Sequence, residues 1–373
     1  MAATREIAKR ARRPLRTPSV RLRKADTGGP GILRRRAGRG FSYVDADGRR
    51  VADDEILARI HDLVIPPAWQ EVWICPYPGG HIQATGIDQK GRKQYLYHRK
   101  WRERRDQEKF DEMLLFARSL PTLRERVEHD LGDRDEDDMG RERVLAAAVR
   151  LLDRGFFRIG SEDYAVENET YGLATMRKDH VVLRDEFIVF DYPAKHGKRR
   201  VQSVVDEEVA AVIGRLKRRR GGIDELLAYR EGRRWRDVKS ADINAYIKEI
   251  TGEDFSAKDF RTWGATVLAA VALAVSPARD TPTARKRAVA RAIGEVAHHL
   301  GNTPAVARAS YVDPRVIDRY MDGITISPAL EHLAADPQDT AIQGDVEAAV
   351  LDLIEGHETA YIGGHEDVLA DVA

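Results

Sequence analysis

Large apolar side chains are sparse from Met1 to about Gly40 and recur regularly from Phe41 onward. The first stretch therefore reads as a disordered arm, because it cannot bury enough surface to offset the entropy of ordering. Phe41-Ser42-Tyr43-Val44 followed by Asp45-Ala46-Asp47-Gly48 predicts a strand and a turn, with Asp-Gly as the hairpin signal. A helix over roughly Ala52 to Leu63 should stop at Pro66-Pro67. Val72-Trp73-Ile74-Cys75 and His81 to Gly86 are short strands. Asp88-Gln89-Lys90-Gly91-Arg92 is a basic turn, and Lys93 to Tyr97 is the returning strand. A period of two puts Gln94 and Leu96 on one face, and Lys93, Tyr95 and Tyr97 on the other.

Helical spacing dominates the remainder. A charged helical stretch runs from His98 to about Arg118 and leads to Ser119-Leu120-Pro121, with helix again from Leu123 to His129. After a polar loop, Val144, Leu145, Ala148, Val149, Leu151 and Leu152 form the core stripe of a helix over Arg141 to Leu152. Strands are expected at about Val181–Leu183, Glu186–Tyr192 and Arg199–Val204. The turn Pro193 to Lys198 holds Lys195 and Lys198 at its tip. Helices are expected at Val205 to Arg220, Ile223–Tyr229, Ser240–Gly252, Ala265–Ala274 and Ala284–Leu300, and from Pro328 one helix and a sparse tail. The expected class is α+β: a basic arm over 1–40, a β-rich domain over 41–105, a larger and mostly helical domain over 106–325, and a helix with an acidic tail over 326–373.

The stretch from Gly301 to Tyr311 is punctuated more sharply than any other. Gly301 suits the left-handed residue that ends a helix. Thr303 before Pro304 predicts an N-cap and first-turn proline opening a short helix. Tyr311 closes that helix just before a restart at Asp313-Pro314. A tyrosine at such a hinge can leave the core to meet a ligand.

Composition narrows the class. With 373 residues, 42% hydrophobic and 33% charged, the chain suits two globular domains. No apolar run approaches membrane-spanning length, and the basic N-terminus lacks the apolar middle of a secretory signal. The single cysteine, Cys75, excludes an internal disulfide, sits in an apolar run and suggests an intracellular protein. The net charge of +1 hides an asymmetry, since the first forty residues are crowded with Arg and Lys and no Lys or Arg follows Arg319. A basic arm of that density suits a polyanion, and duplex DNA is the natural one.

Arg158 lies between apolar neighbours and Gly160, and a guanidinium there needs a counter-charge from the fold or from a phosphate. Arg261 lies near a helix start, where backbone N–H groups favour an anion. Together Arg158, Lys195, Arg261, Asn302 and Tyr311 form a set suited to phosphoryl transfer. With Asp88 to Tyr95, Phe156-Phe157-Arg158-Ile159-Gly160, Glu167 to Leu173, Lys258-Asp259-Phe260-Arg261-Thr262 and Gly301 to Tyr311 in this order, the chain resembles the type IB DNA topoisomerases of the small poxvirus-like bacterial branch.

The resemblance implies a clamp around duplex DNA, with a β-rich N-terminal domain and a tyrosine-recombinase-like catalytic domain. It implies Tyr311 as nucleophile, Arg158, Lys195 and Arg261 as the basic catalytic residues, and Arg92, Gln94, Tyr95, Tyr97 and Tyr164 as DNA contacts. It implies relaxation through a 3′-phosphotyrosine without ATP, metal or other cofactor, by a cytoplasmic, nucleoid-associated monomer. Asn302 departs from the poxvirus pattern, in which histidine is usual; an amide donates a hydrogen bond but does not titrate, so an oxyanion donor is expected. A tyrosine recombinase and a catalytically silent architectural DNA binder are the competing readings.

Overall fold

The computed structural model describes residues 21–132, 138–162, 165, 169–184, 187–222, 224–276, 281–335 and 342–364. Two compact units, Met1–Lys109 and Phe110–Ala373, divide the chain. In the first, strands β1 (Ile32–Ala37), β2 (Gly40–Val44), β3 (Gln70–Ile74), β4 (Ile82–Ile87) and β5 (Lys93–Tyr97) form an antiparallel sheet in the order β2-β1-β3-β4-β5. Helix α1 (Asp54–Asp62) starts at Asp53, whose carboxylate accepts from the Glu55 and Ile56 amides. It packs Ile60 against Ile32, Val72, Ile74 and Ala84 to close a small core.

The sheet corrects the expectation of disorder up to residue 40. β1 lies within that segment, and β2 pairs backward with it, Leu33 opposite Val44. It does not pair forward across Asp47-Gly48, where the ladder shrinks to a single Val44–Arg50 bridge. Charge hid this strand. Ile32 is buried, and the Arg34 guanidinium donates to the carbonyls of Pro66 at 3.1 Å and Trp69 at 2.6 Å. That arginine caps a loop.

Helix α2 (Arg99–Leu131) runs through Pro121 without stopping, and the division between the units falls inside it. The proline removes one backbone hydrogen bond. Burial of Phe116, Ala117 and Leu120 before it, and of Leu123 and Val127 after it, holds both halves in one helix.

The second unit is mostly helical. Helix α3 (Arg141–Gly155) is buried along most of its length. A three-stranded antiparallel sheet follows, of β6 (Val181–Arg184), β7 (Phe187–Ala194) and β8 (Lys198–Val205), then α4 (Glu207–Arg218). In place of the expected helix at 223–229 there is a hairpin of β9 (Ala228–Glu231) and β10 (Arg234–Asp237), turning at Gly232 with φ 59°. Helices α5 (Ser240–Thr251), α6 (Ala257–Ala274), α7 (Pro282–Leu300), α8 (Pro304–Ser310), α9 (Pro314–Met321) and α10 (Ser327–Ala335) complete the core.

A further helix, α11 (Ile342–Glu355), replaces much of the expected sparse tail. It buries Val346, Ala349, Val350, Leu353 and Ile354. Its acids face partners: Glu347 accepts from Arg124 at 2.6 Å and from the Trp263 indole at 2.9 Å, and Glu355 accepts from Arg118.

Candidate active site

Local sequence sets each candidate side chain. Helix α3 ends where Phe156 takes the left-handed conformation, φ 52°, which turns the chain so that Phe157 is buried and Arg158 emerges. The Leu173 and Ala174 amides donate to the Arg158 and Ile159 carbonyls at 2.8 and 2.7 Å, fixing that loop. Gly160 and Gly172 meet backbone to backbone; a Cβ on Gly172 would lie 2.4 Å from the Gly160 Cα, so neither block tolerates a side chain there. The Tyr171 amide donates to the Pro193 carbonyl at 2.9 Å, attaching the same loop to the β7–β8 hairpin. Lys195 stands exposed in the tight turn of that hairpin.

Helix α7 ends on Gly301 in the left-handed region, φ 62°. Thr303 caps α8, its hydroxyl accepting from the Val306 amide at 3.3 Å, and Pro304 fills the first turn. Asp313 caps α9 in the same way. Tyr311 is the C-cap between them, and its carbonyl accepts from the buried Thr266 hydroxyl of α6 at 3.1 Å. These match the sequence expectation closely, because caps depend on neighbours a few residues away. Arg261 sits in the second turn of a helix that begins at Ala257, earlier than expected.

These elements bring Arg158, Lys195, Arg261 and Tyr311 around one cavity of ≈ 280 Å³, also lined by Ile159, Gly160, Ser161, Thr170, Tyr171, Ala257 and Lys258. The Arg261 guanidinium lies 5.5 Å from the centre of the Tyr311 ring. It is itself buried, at 4% exposure, and donates to the Phe156 and Leu300 carbonyls. Asn302 adjoins the cavity through Arg158, whose Nη2 donates to its Oδ1 at 2.5 Å. The Asn302 Nδ2 is buried without a hydrogen-bond partner, as is the Arg261 Nε.

The electrostatics favour an anion. Burial pushes the Tyr311 phenol up, but Arg261 and Arg158 outweigh it, and Asn302 adds to them, so the phenol stands below its ordinary value. Burial pushes Arg261 down, the Arg158 and Arg200 charges push it further, and Tyr311 opposes them. Arg158, Arg200 and Arg261 meet no carboxylate among the described residues; carbonyls at the end of α7 receive them instead. Lys258, in the first turn of α6, was passed over as a site residue, although it lies three positions before Arg261 and so on the same helical face.

Apart from Tyr164, the other candidates belong to the first unit. Tyr95 and Tyr97 are exposed and stacked, with ring centres 6.1 Å apart. Arg92 donates to Asp88 through Nε and Nη2 at 2.9 and 2.7 Å, and Gln94 donates to the same oxygen at 2.9 Å. The Arg92 hydrogen bonds hold the Asp88 carboxyl down to about 2. Tyr164 lies outside the described residues. Among the described residues no helix is long and apolar enough to cross a membrane.

Comparison with known proteins gives the family of the chain. Residues 98–329 match the family model of the eukaryotic DNA topoisomerase I catalytic core, and residues 40–88 match that of the bacterial DNA topoisomerase IB N-terminal domain. The chain is 32% identical to the DNA topoisomerase 1B of Acanthamoeba polyphaga mimivirus over 317 residues, covering 83% of this chain and 92% of the relative. It is 24% identical to the DNA topoisomerase 1B of Vaccinia virus (strain Copenhagen) over 241 residues, covering 64% and 72% respectively. By family match, identity and coverage the chain belongs to the poxvirus-like type IB DNA topoisomerases.

Proposed function

We propose that Tyr311 is the nucleophile of a strand-cleavage reaction that relaxes supercoiled duplex DNA. Its oxygen attacks a backbone phosphorus. The new bond joins the phenolic oxygen to phosphorus, the bond to the 5′-oxygen breaks, and a 3′-phosphotyrosine remains. The depressed phenol gives its proton to water, since none of the described lining residues is a carboxylate or imidazole. Arg158 and Arg261 stabilise the negative charge on the non-bridging oxygens, and the Asn302 Nδ2, which also favours the Tyr311 phenolate, supplies a neutral donor. Lys195 protonates the departing 5′-oxygen. The phosphotyrosine conserves the phosphodiester energy, so rotation of the free end and resealing need neither ATP nor a metal.

Arg92, Gln94, Tyr95 and Tyr97 hold the duplex from the first unit, and the Tyr311 site acts on it from the second. Tyr164 contacts phosphate near the scissile position. The protein works as a monomer on nucleoid DNA in the cytoplasm.

One observation carries the reading. The Tyr311 ring lies against Arg261, at a cavity shared with Arg158 and Lys195. The test is Tyr311→Phe, assayed on one supercoiled plasmid. It should lose relaxation and covalent attachment and still bind duplex. Relaxation at the wild-type rate would overturn the assignment, and recombined products from the wild type would favour a recombinase.

A further inference from the structure

The hairpin that presents Lys195 carries a second device on its return strand. Along β8 the inward positions are Arg200, Gln202 and Val204, and the intervening residues are exposed. Arg200 donates through Nη2 to the His299 carbonyl at 2.6 Å and through Nε to the Gln202 side-chain oxygen at 2.5 Å. Gln202 donates onward to the Gly155 carbonyl at 3.0 Å. His299 precedes Asn302 by three residues, and Gly155 precedes Arg158 by three. One pair of side chains thus joins the end of α7 to the end of α3, just ahead of Asn302 and Arg158, two of the three proposed oxyanion donors.

The anchoring continues along α7. The carbonyls of His299, Leu300 and Gly301 receive Arg200, Arg261 and Arg158 in turn, at 2.6, 2.9 and 3.3 Å. Final-turn carbonyls have no helical partner and carry the negative end of the helix dipole, so guanidinium groups stabilise them. A Cβ at Gly301 would come within 3.0 Å of the Arg200 Nη1, so this residue also bounds the turn that leads to Asn302. Arg200 is absent from the cavity lining; it acts through what it holds.

We propose that Arg200, braced by Gln202, is a positioning residue for strand cleavage: it fixes the α7 terminus so that Asn302 and Arg158 meet the phosphate together. This rests on the site proposed above. Misplacing a reacting group by about 1 Å costs on the order of 100-fold in rate. Arg200→Met keeps most of the stem and removes both hydrogen bonds, together with the guanidinium's hydrogen bond to the buried Tyr192 phenol.

The test is single-turnover cleavage of a suicide duplex. Arg200→Met should cleave about 100-fold more slowly with unchanged duplex affinity, and Arg200→Lys should recover part of the loss. In an Asn302→Ala background the same change should cost only a few-fold, roughly, because coupled residues do not add. Cleavage by Arg200→Met at the wild-type rate would overturn the proposal, as would full multiplication of the two effects. Should Arg200→Met not fold, Gln202→Leu takes its place in the cycle, and full-rate cleavage by that variant counts against the proposal equally. Tyr311→Phe run alongside separates the two readings: covalent product from that variant would remove the site itself and not only the support for it.

Discussion

A phenol attacks phosphorus as its oxyanion, and an ordinary tyrosine titrates near about 10. Around Tyr311 burial works against ionisation, and Arg261 and Arg158 overcome it. The rate at subsaturating DNA reports the free enzyme, so it should rise with pH through an inflection below that ordinary value. Arg158→Ala removes one of the two charges that favour phenolate. Its residual cleavage should therefore rise at higher pH than in wild type, and an unmoved inflection would separate Arg158 from the phenol. Asn302 allows a sharper test, because Asp has nearly its shape. Its Oδ1 already accepts from Arg158, while Nδ2 is a buried donor that favours the Tyr311 phenolate. Asn302→Asp replaces that donor with a charged acceptor that neutralises Arg158 and repels phosphate. Loss of one oxyanion donor costs about 100- to 1000-fold. Asn302→Asp should fall further than Asn302→Ala in single-turnover cleavage, and equal rates would argue that Nδ2 faces no phosphoryl oxygen.

Among elements, those with local signals were legible and those with distant causes were not. Gly301, Thr303 and Asp313 mark their helix ends within a few residues, and the structure has those ends. β1 was hidden because Arg34 looks solvated until the carbonyls of Pro66 and Trp69 are brought to it. Arg200 was passed over for the same reason, its partner lying 99 residues away. α11 looked like tail because its acids have no nearby bases in sequence. In the fold Arg124 bridges Asp153 of α3 and Glu347 of α11, and Glu347 also takes the Trp263 indole, two residues past Arg261. Asp153 and Glu347 are mostly shielded, at 10% and 12% side-chain exposure. Removing one partner of a buried hydrogen-bonded group costs roughly 1–3 kcal/mol. Glu347→Ala should therefore unfold at lower denaturant, with cleavage slowed through the helix that carries Arg261. An unchanged midpoint would make α11 a bystander.

At the scale of the whole molecule, charge is divided between groups that the fold consumes and groups left for a polyanion. The division changes where the basic arm can be cut. Removing residues 1–40 would delete β1, expose the Ile32 site in the first core and leave β2 without its antiparallel partner. The resulting loss of binding would say nothing about electrostatics. Residues 1–20 hold six Lys or Arg, at positions 5, 9, 10, 12, 13 and 16, against one acid at position 6. Each phosphate neutralised on a duplex contributes about 0.9 to the slope of log affinity against log salt. If all six reach phosphates, deleting residues 1–20 should flatten that slope by up to about 5, while cleavage of bound DNA proceeds unchanged. Titrating a short duplex at several salt concentrations with intact and shortened chains measures both quantities. Parallel lines would mean that those six charges stay solvated, and that the units beyond residue 20 supply the grip on DNA.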